Sequence, residues 1–70
     1  MSDFAQNLEQ LRNKRRITRQ ELAKSVGVSE GAIWQYEHGL ITPKIQIAVA
    51  IAKRLGTTCE ALLYGEGKEV

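Results

Sequence analysis

Seventy residues, 43% of them hydrophobic but with only one Trp, two Tyr and one Phe, suit one small domain of packed aliphatic helices and exclude a disordered chain or a sheet sandwich. The longest apolar run, residues 47–52, is far short of the ~20 residues a membrane span needs; the N-terminus lacks signal-peptide regions, and the single Cys59 has neither a disulfide partner nor a His/Cys cluster around it, so the expected setting is cytoplasmic, without membrane or structural metal. The net charge of +2 is unevenly spread, because Arg12, Lys14, Arg15, Arg16, Arg19 and Lys24 fall in a stretch where Glu21 is the only acid, which reads either as a solvated helix end and turn or as a surface for a polyanion.

Apolar Phe4, Leu8 and Leu11 recur at helical spacing behind the capping residue Ser2 and predict an amphipathic first helix over 3–15. Thr18 followed by Glu21 is a capping box, with Ile17 placed to pack on Leu22. The second helix turns Leu22, Ala23 and Val26 inward and ends at Gly27, a residue that takes the left-handed closing conformation without steric cost. Ser29 is the next cap, and Val28 with Ile33 repeats the staple, so a third helix follows after a tight turn and crosses the second steeply. It directs Ile33, Tyr36 and Glu37 to one side, leaves Glu30, Gly31, Trp34, Gln35 and His38 on the other, and stops at Gly39. Thr42 before Pro43 predicts a fourth helix capped by Thr42 with proline in its first position, running to Gly56. Thr58 caps a short fifth helix holding Cys59, Leu62 and Leu63, and residues 65–70 read as a frayed polar tail. The expected organisation is one all-α domain over residues 1–70.

Helix, glycine turn and a second helix with a polar outer face is the layout of a major-groove reader. The run Ile17-Thr18-Arg19-Gln20-Glu21-Leu22-Ala23, then Gly27-Val28-Ser29, Ile33, Tyr36-Glu37-His38-Gly39, Pro43 and Ile51-Ala52-Lys53-Arg54-Leu55-Gly56 resembles the phage lambda repressor and Cro (XRE-type) class of helix-turn-helix domains. The resemblance spans about Leu8 to Leu63. It implies a compact five-helix lambda-repressor-like domain that binds near-palindromic double-stranded DNA as a homodimer, with the third helix as the recognition helix.

Carried over position by position, the resemblance places base reading on Glu30, Gly31 and Gln35, with Ser29 and Trp34 beside them. The chemistry agrees for several: Gln35 can pair with adenine, Glu30 can accept from a cytosine amino group, and Trp34 can pack on a thymine methyl, although a half-buried structural role for Trp34 is an equal reading. Gly31 has no side chain to read with. Phosphate contacts fall on Arg19 and Thr18 at the start of helix two, on Thr42 and Lys44 before helix four, and on His38, which reads also as a loop residue or helix-end cation. Arg12 and Glu37 match a structural ion pair between helices one and three. Arg16 stands where many relatives close helix one with glycine, so that turn is either left-handed and strained or differently built. Leu63 and Tyr64 are candidates for a dimer contact or for core.

No Ser/His/Asp, paired-carboxylate or Cys/His set surrounds the single His38 and Cys59, so neither catalysis nor a cofactor, metal or small-molecule ligand is expected. The leading expectation is a transcriptional regulator of the Cro or repressor type, working on the nucleoid. Two other readings stay open: the antitoxin of a toxin–antitoxin pair, and a protein-binding module that has kept the fold without DNA affinity. Residues 64–70 read equally as a natural end or as the beginning of a linker.

Overall fold

Every apolar period of the sequence forms a helix. The computed structural model describes residues 4–65, which run α1 (Phe4–Lys14), α2 (Arg19–Val26), α3 (Glu30–Glu37), α4 (Ile45–Leu55) and α5 (Cys59–Tyr64). All regular structure among the described residues is helical. The expected Ser2 cap and most of the expected tail, residues 66–70, lie outside them.

Each helix sends at least one branched side chain to a common centre: Leu8, Leu22, Ile33, Ile51, Leu55 and Leu62 are fully buried. Burial of one such side chain contributes roughly 1.5–3 kcal/mol, so these six dominate what holds the domain together. Helix α2 packs on α3 and α4, and α1 lies against both α3 and α5. Asn7 on α1 adds a directional bond by donating from Nδ2 to the Leu62 carbonyl at 2.8 Å.

Caps fix where the helices start. Thr18 accepts from the Glu21 backbone N–H at 3.0 Å while the Glu21 carboxylate accepts from the Thr18 N–H at 2.9 Å, the reciprocal capping box expected there. Ser29 and Thr58 cap α3 and α5 through Ala32 and Ala61. At α4 the expectation fails. Its N-cap is Lys44, with extended backbone and no side-chain cap bond, and Pro43 is buried outside the helix instead of opening it. Burial of the proline ring has set the path of this loop, so the chain stays extended for two residues more than the Thr42–Pro43 signal implied.

Four helices close in the same way. After α1, α2, α3 and α4, an amide reaches back five residues: Ile17 to Arg12, Val28 to Ala23, Leu40 to Gln35 and Thr57 to Ala52. This closure needs a left-handed residue just before that amide. Three of those residues are glycines; the fourth is Arg16, with φ 59. Arginine at that position carries the steric cost that glycine avoids. No helix among the described residues is long and apolar enough to cross a membrane.

Candidate nucleic-acid interface

The turn of Gly27 and Val28 joins α2 to α3, and Gly27 makes it possible by adopting φ 80. On α3 the partition follows the helical period: Ile33, Tyr36 and Glu37 are buried, while Glu30, Gly31, Trp34 and Gln35, with His38 at the C-cap, are exposed. Ser29 is exposed as well, but its hydroxyl already accepts the Ala32 N–H at 3.1 Å. Gly31 is required by neither backbone nor packing. It lies inside a helix, and a Cβ built there would meet nothing closer than the Ser29 Oγ at 3.9 Å.

The orientation of α3 is set by a buried ionic cluster. The Glu37 carboxylate accepts from Arg12 Nε at 2.5 Å and Nη2 at 3.2 Å, and from Arg19 Nε at 2.8 Å. Arg12 also donates from Nη1 to the Ile17 carbonyl at 2.9 Å. Arg19 Nη2 lies 3.7 Å from Glu9 Oε2. Among the described residues no buried side-chain polar atom lacks a partner, so the desolvation of these charges is met by hydrogen bonds. The cluster ties the end of α1 and the first turn of α2 to the last turn of α3.

Trp34 and His38, one helical turn apart on the outer ridge, form a second assembly. Their rings stack with centroids 3.9 Å apart and planes 19° apart. His38 Nδ1 lies 2.8 Å from the Trp34 carbonyl oxygen. A carbonyl oxygen can only accept, so Nδ1 carries the proton.

The basic stretch of residues 12–24 is not one continuous cationic surface. Arg12 and Arg19 serve Glu37, and Arg15 donates from Nε to the Leu55 carbonyl at 2.9 Å; Lys14, Arg16 and Lys24 are exposed. Arg19 keeps 30% of its side chain exposed, beside Thr18, which is exposed too. Glu21 in the capping box is held below the ordinary glutamate range, first by the Thr18 backbone N–H and then by the Thr18 hydroxyl. Thr42 and Lys44 are exposed ahead of α4, whose first turn has no side-chain cap to occupy its N–H groups.

Leu63 and Tyr64 are both exposed at the end of α5, Tyr64 at 63%. A second apolar strip escaped the sequence reading: Leu40 and Ile41 in the loop, then Ile45 and Val49 on α4, are all exposed large hydrophobics. The i, i+4 spacing of Ile45 and Val49 was its available signal, obscured because Val49 lies inside the unbroken apolar run of residues 47–52. The Trp34–His38 stack had the same kind of signal, whereas the Arg19–Glu37 bond joins residues far apart in sequence and had none. Among the described residues no group of His, Cys, Asp and Glu is placed to hold a metal ion.

The sequence model of the helix-turn-helix family matches residues 8–62. The chain is 30% identical over 66 residues to YqaE of Bacillus subtilis (strain 168), an uncharacterized HTH-type transcriptional regulator, covering 94% of this chain and 57% of that protein. It is 34% identical over 64 residues to the HTH-type transcriptional activator BcrR of Enterococcus faecalis, covering 91% of this chain and 31% of that one. The P22 c2 repressor solved in complex with synthetic operator 9T matches with a TM-score of 0.86 at 30% identity, over 94% of this chain and 100% of that chain. The chain thus spans little more than half, and about a third, of the two curated relatives.

Proposed function

Because the chain belongs to the helix-turn-helix family, we propose that it is a transcriptional regulator that binds double-stranded DNA in a sequence-specific manner with α3 in the major groove, rather than an enzyme. The observation that carries this is the exposed outer face of α3, held in a fixed orientation by Glu37 against Arg12 and Arg19. Gln35 and Glu30 offer hydrogen-bonding groups to base edges, with Trp34 as an apolar contact and Ser29 and Gly31 at the start of the same face. Thr18 and the exposed part of Arg19 meet phosphate on one side, and Thr42, Lys44 and the uncapped first turn of α4 on the other, with His38 at the C-terminal end of α3. The P22 c2 repressor structure, solved with an operator, supports the DNA reading by similarity. A place on the nucleoid, in the cytoplasm, belongs to the same reading.

A homodimer on a near-palindromic site is part of the proposal, with recognition helices roughly 34 Å apart. Exposed Leu63 and Tyr64, and the strip of Leu40, Ile41, Ile45 and Val49, supply apolar area for a second copy. The test is selection of bound duplexes from a random pool, followed by titration at several salt concentrations. Symmetric selected sites bound by two chains, with the logarithm of the affinity falling linearly in the logarithm of salt, are expected. Salt-insensitive binding or an unselective pool would overturn the reading in favour of a protein-binding module.

A further inference from the structure

Glu9 on α1 lies beside Arg19 without being tied to it. Its Oε2 is 3.7 Å from Arg19 Nη2, longer than a hydrogen bond, and its side chain is 44% exposed. A loose, half-exposed ion pair of this kind adds little to stability. The strut to Glu37 does not need it either, because Arg19 makes that bond through Nε at 2.8 Å. What Glu9 does change is the charge that the outer side of Arg19 presents. Arg12 and Arg19 face Glu9 and Glu37, so two cations meet two anions and the cluster carries no net charge.

We propose that Glu9 is a built-in competitor for Arg19: its carboxylate holds the side of the guanidinium that a DNA phosphate takes, so that phosphate contact exchanges one anion for another. The proposal rests on the DNA-binding reading above and assigns the regulation of its phosphate contact to α1, an element outside the helix-turn-helix. In the free domain Arg19 has an anion on either side, Glu37 at Nε and Glu9 near Nη2. On duplex, Nη2 passes from Glu9 to a phosphate oxygen while Nε stays on Glu37, and α3 keeps its support throughout. Glu9 is then left facing the same phosphate, and this like-charge repulsion lowers affinity for duplex of every sequence. Base contacts by α3 are untouched. The domain therefore spends less time on unselected DNA, which a genome offers in vast excess.

A double-mutant cycle on DNA tests this. Glu9→Gln keeps the shape of the side chain, removes its charge and should leave urea unfolding close to wild type. Affinity should rise about threefold per subunit at low salt, the scale of one exposed ion pair, on the selected duplex and on a scrambled one alike. The gain should shrink as salt is added, so that the salt dependence steepens by a fraction of a counterion per subunit, and the selected sequence should not change. In an Arg19→Ala background the same substitution should gain much less, because the competitor has lost what it competes for. Glu60→Gln on α5, which removes an exposed charge of the same sign outside the cluster, should also gain much less. An equal gain with and without Arg19, or an equal gain from Glu60→Gln, would overturn the exchange, since net charge alone would then explain it. Unchanged or weaker binding by a folded Glu9→Gln, or a marked loss of its stability, would overturn it as well and leave the DNA-binding reading standing. Failure of wild type and Glu9→Gln alike to bind any duplex would overturn both.

Discussion

Arg19, in the first turn of α2, donates from Nε to Oε1 of Glu37, in the last turn of α3, at 2.8 Å. A cation proposed for phosphate contact is thereby also a strut of the helix proposed to read bases. Glu37 is the more heavily committed partner, since its side chain is fully buried and also holds the buried Arg12. Removing it leaves two guanidinium groups facing an emptied site. Glu37→Ala should cost about 3 kcal/mol or more, a large part of the stability of a small domain. Arg19→Ala removes a partly exposed partner and should cost less than about 1 kcal/mol. Urea unfolding of both variants checks the ranking; comparable losses would mean that Arg12 alone cannot satisfy Glu37 and that the cluster depends on Arg19.

On DNA the contrast runs between Gln35 and Arg19. Gln35→Ala should cost about 1–3 kcal/mol on the selected site, relax preference at one base pair per half-site and leave scrambled duplex binding nearly unchanged. Arg19→Ala should weaken both duplexes by similar factors and make the salt dependence shallower by about one counterion per subunit. Titrations on both duplexes across salt concentrations decide it. Equal losses for Gln35→Ala on the two would remove base readout from this residue.

Arg16 is the non-glycine residue with positive φ in the loop that closes α1. Arg16→Gly should relieve left-handed strain of roughly 1–2 kcal/mol while adding freedom to the unfolded chain, for a net gain of about 0.5–1 kcal/mol. That corresponds to a melting temperature several degrees higher for a domain of this size. A lower melting temperature would show that the arginine side chain contributes more than its backbone strain costs.

The Thr18–Glu21 capping box carries a pH signature. The Glu21 carboxyl lies below the ordinary glutamate value, chiefly because its charged form accepts the Thr18 backbone N–H. A folded-state value lowered in this way adds stability that is complete above the unfolded glutamate value and disappears as pH falls through the lowered one. The melting difference between wild type and Glu21→Gln should therefore be largest near neutral pH and shrink on acidification through the carboxylate range. A difference independent of pH would assign the capping effect to shape rather than charge.

Much of this architecture was legible because it is local. The caps at Thr18, Ser29 and Thr58 and the closures at Gly27, Gly39 and Gly56 each depend on residues within about one helical turn, and a linear reading finds them. The start of α4 misled because burial of Pro43 is a tertiary event, and tertiary packing overrides a local capping signal. The charge cluster misled for a related reason. The resemblance paired Arg12 with Glu37, but Arg15 and Arg19 look like it in sequence, and only the fold turns them toward the Leu55 carbonyl and Glu37.

The packing of α1 against α5, pinned by Asn7 on the Leu62 carbonyl, joins the first described helix to the last. For a chain made from its N-terminus at the ribosome, this orders events in time. The centre that Leu8 enters early receives its last fully buried side chain, Leu62, only when α5 has been synthesised and has cleared the exit tunnel. Nascent chains stalled before residue 62 should remain open to protease, and those extended well beyond it should become resistant, so that α3 acquires its fixed geometry only once α5 has emerged.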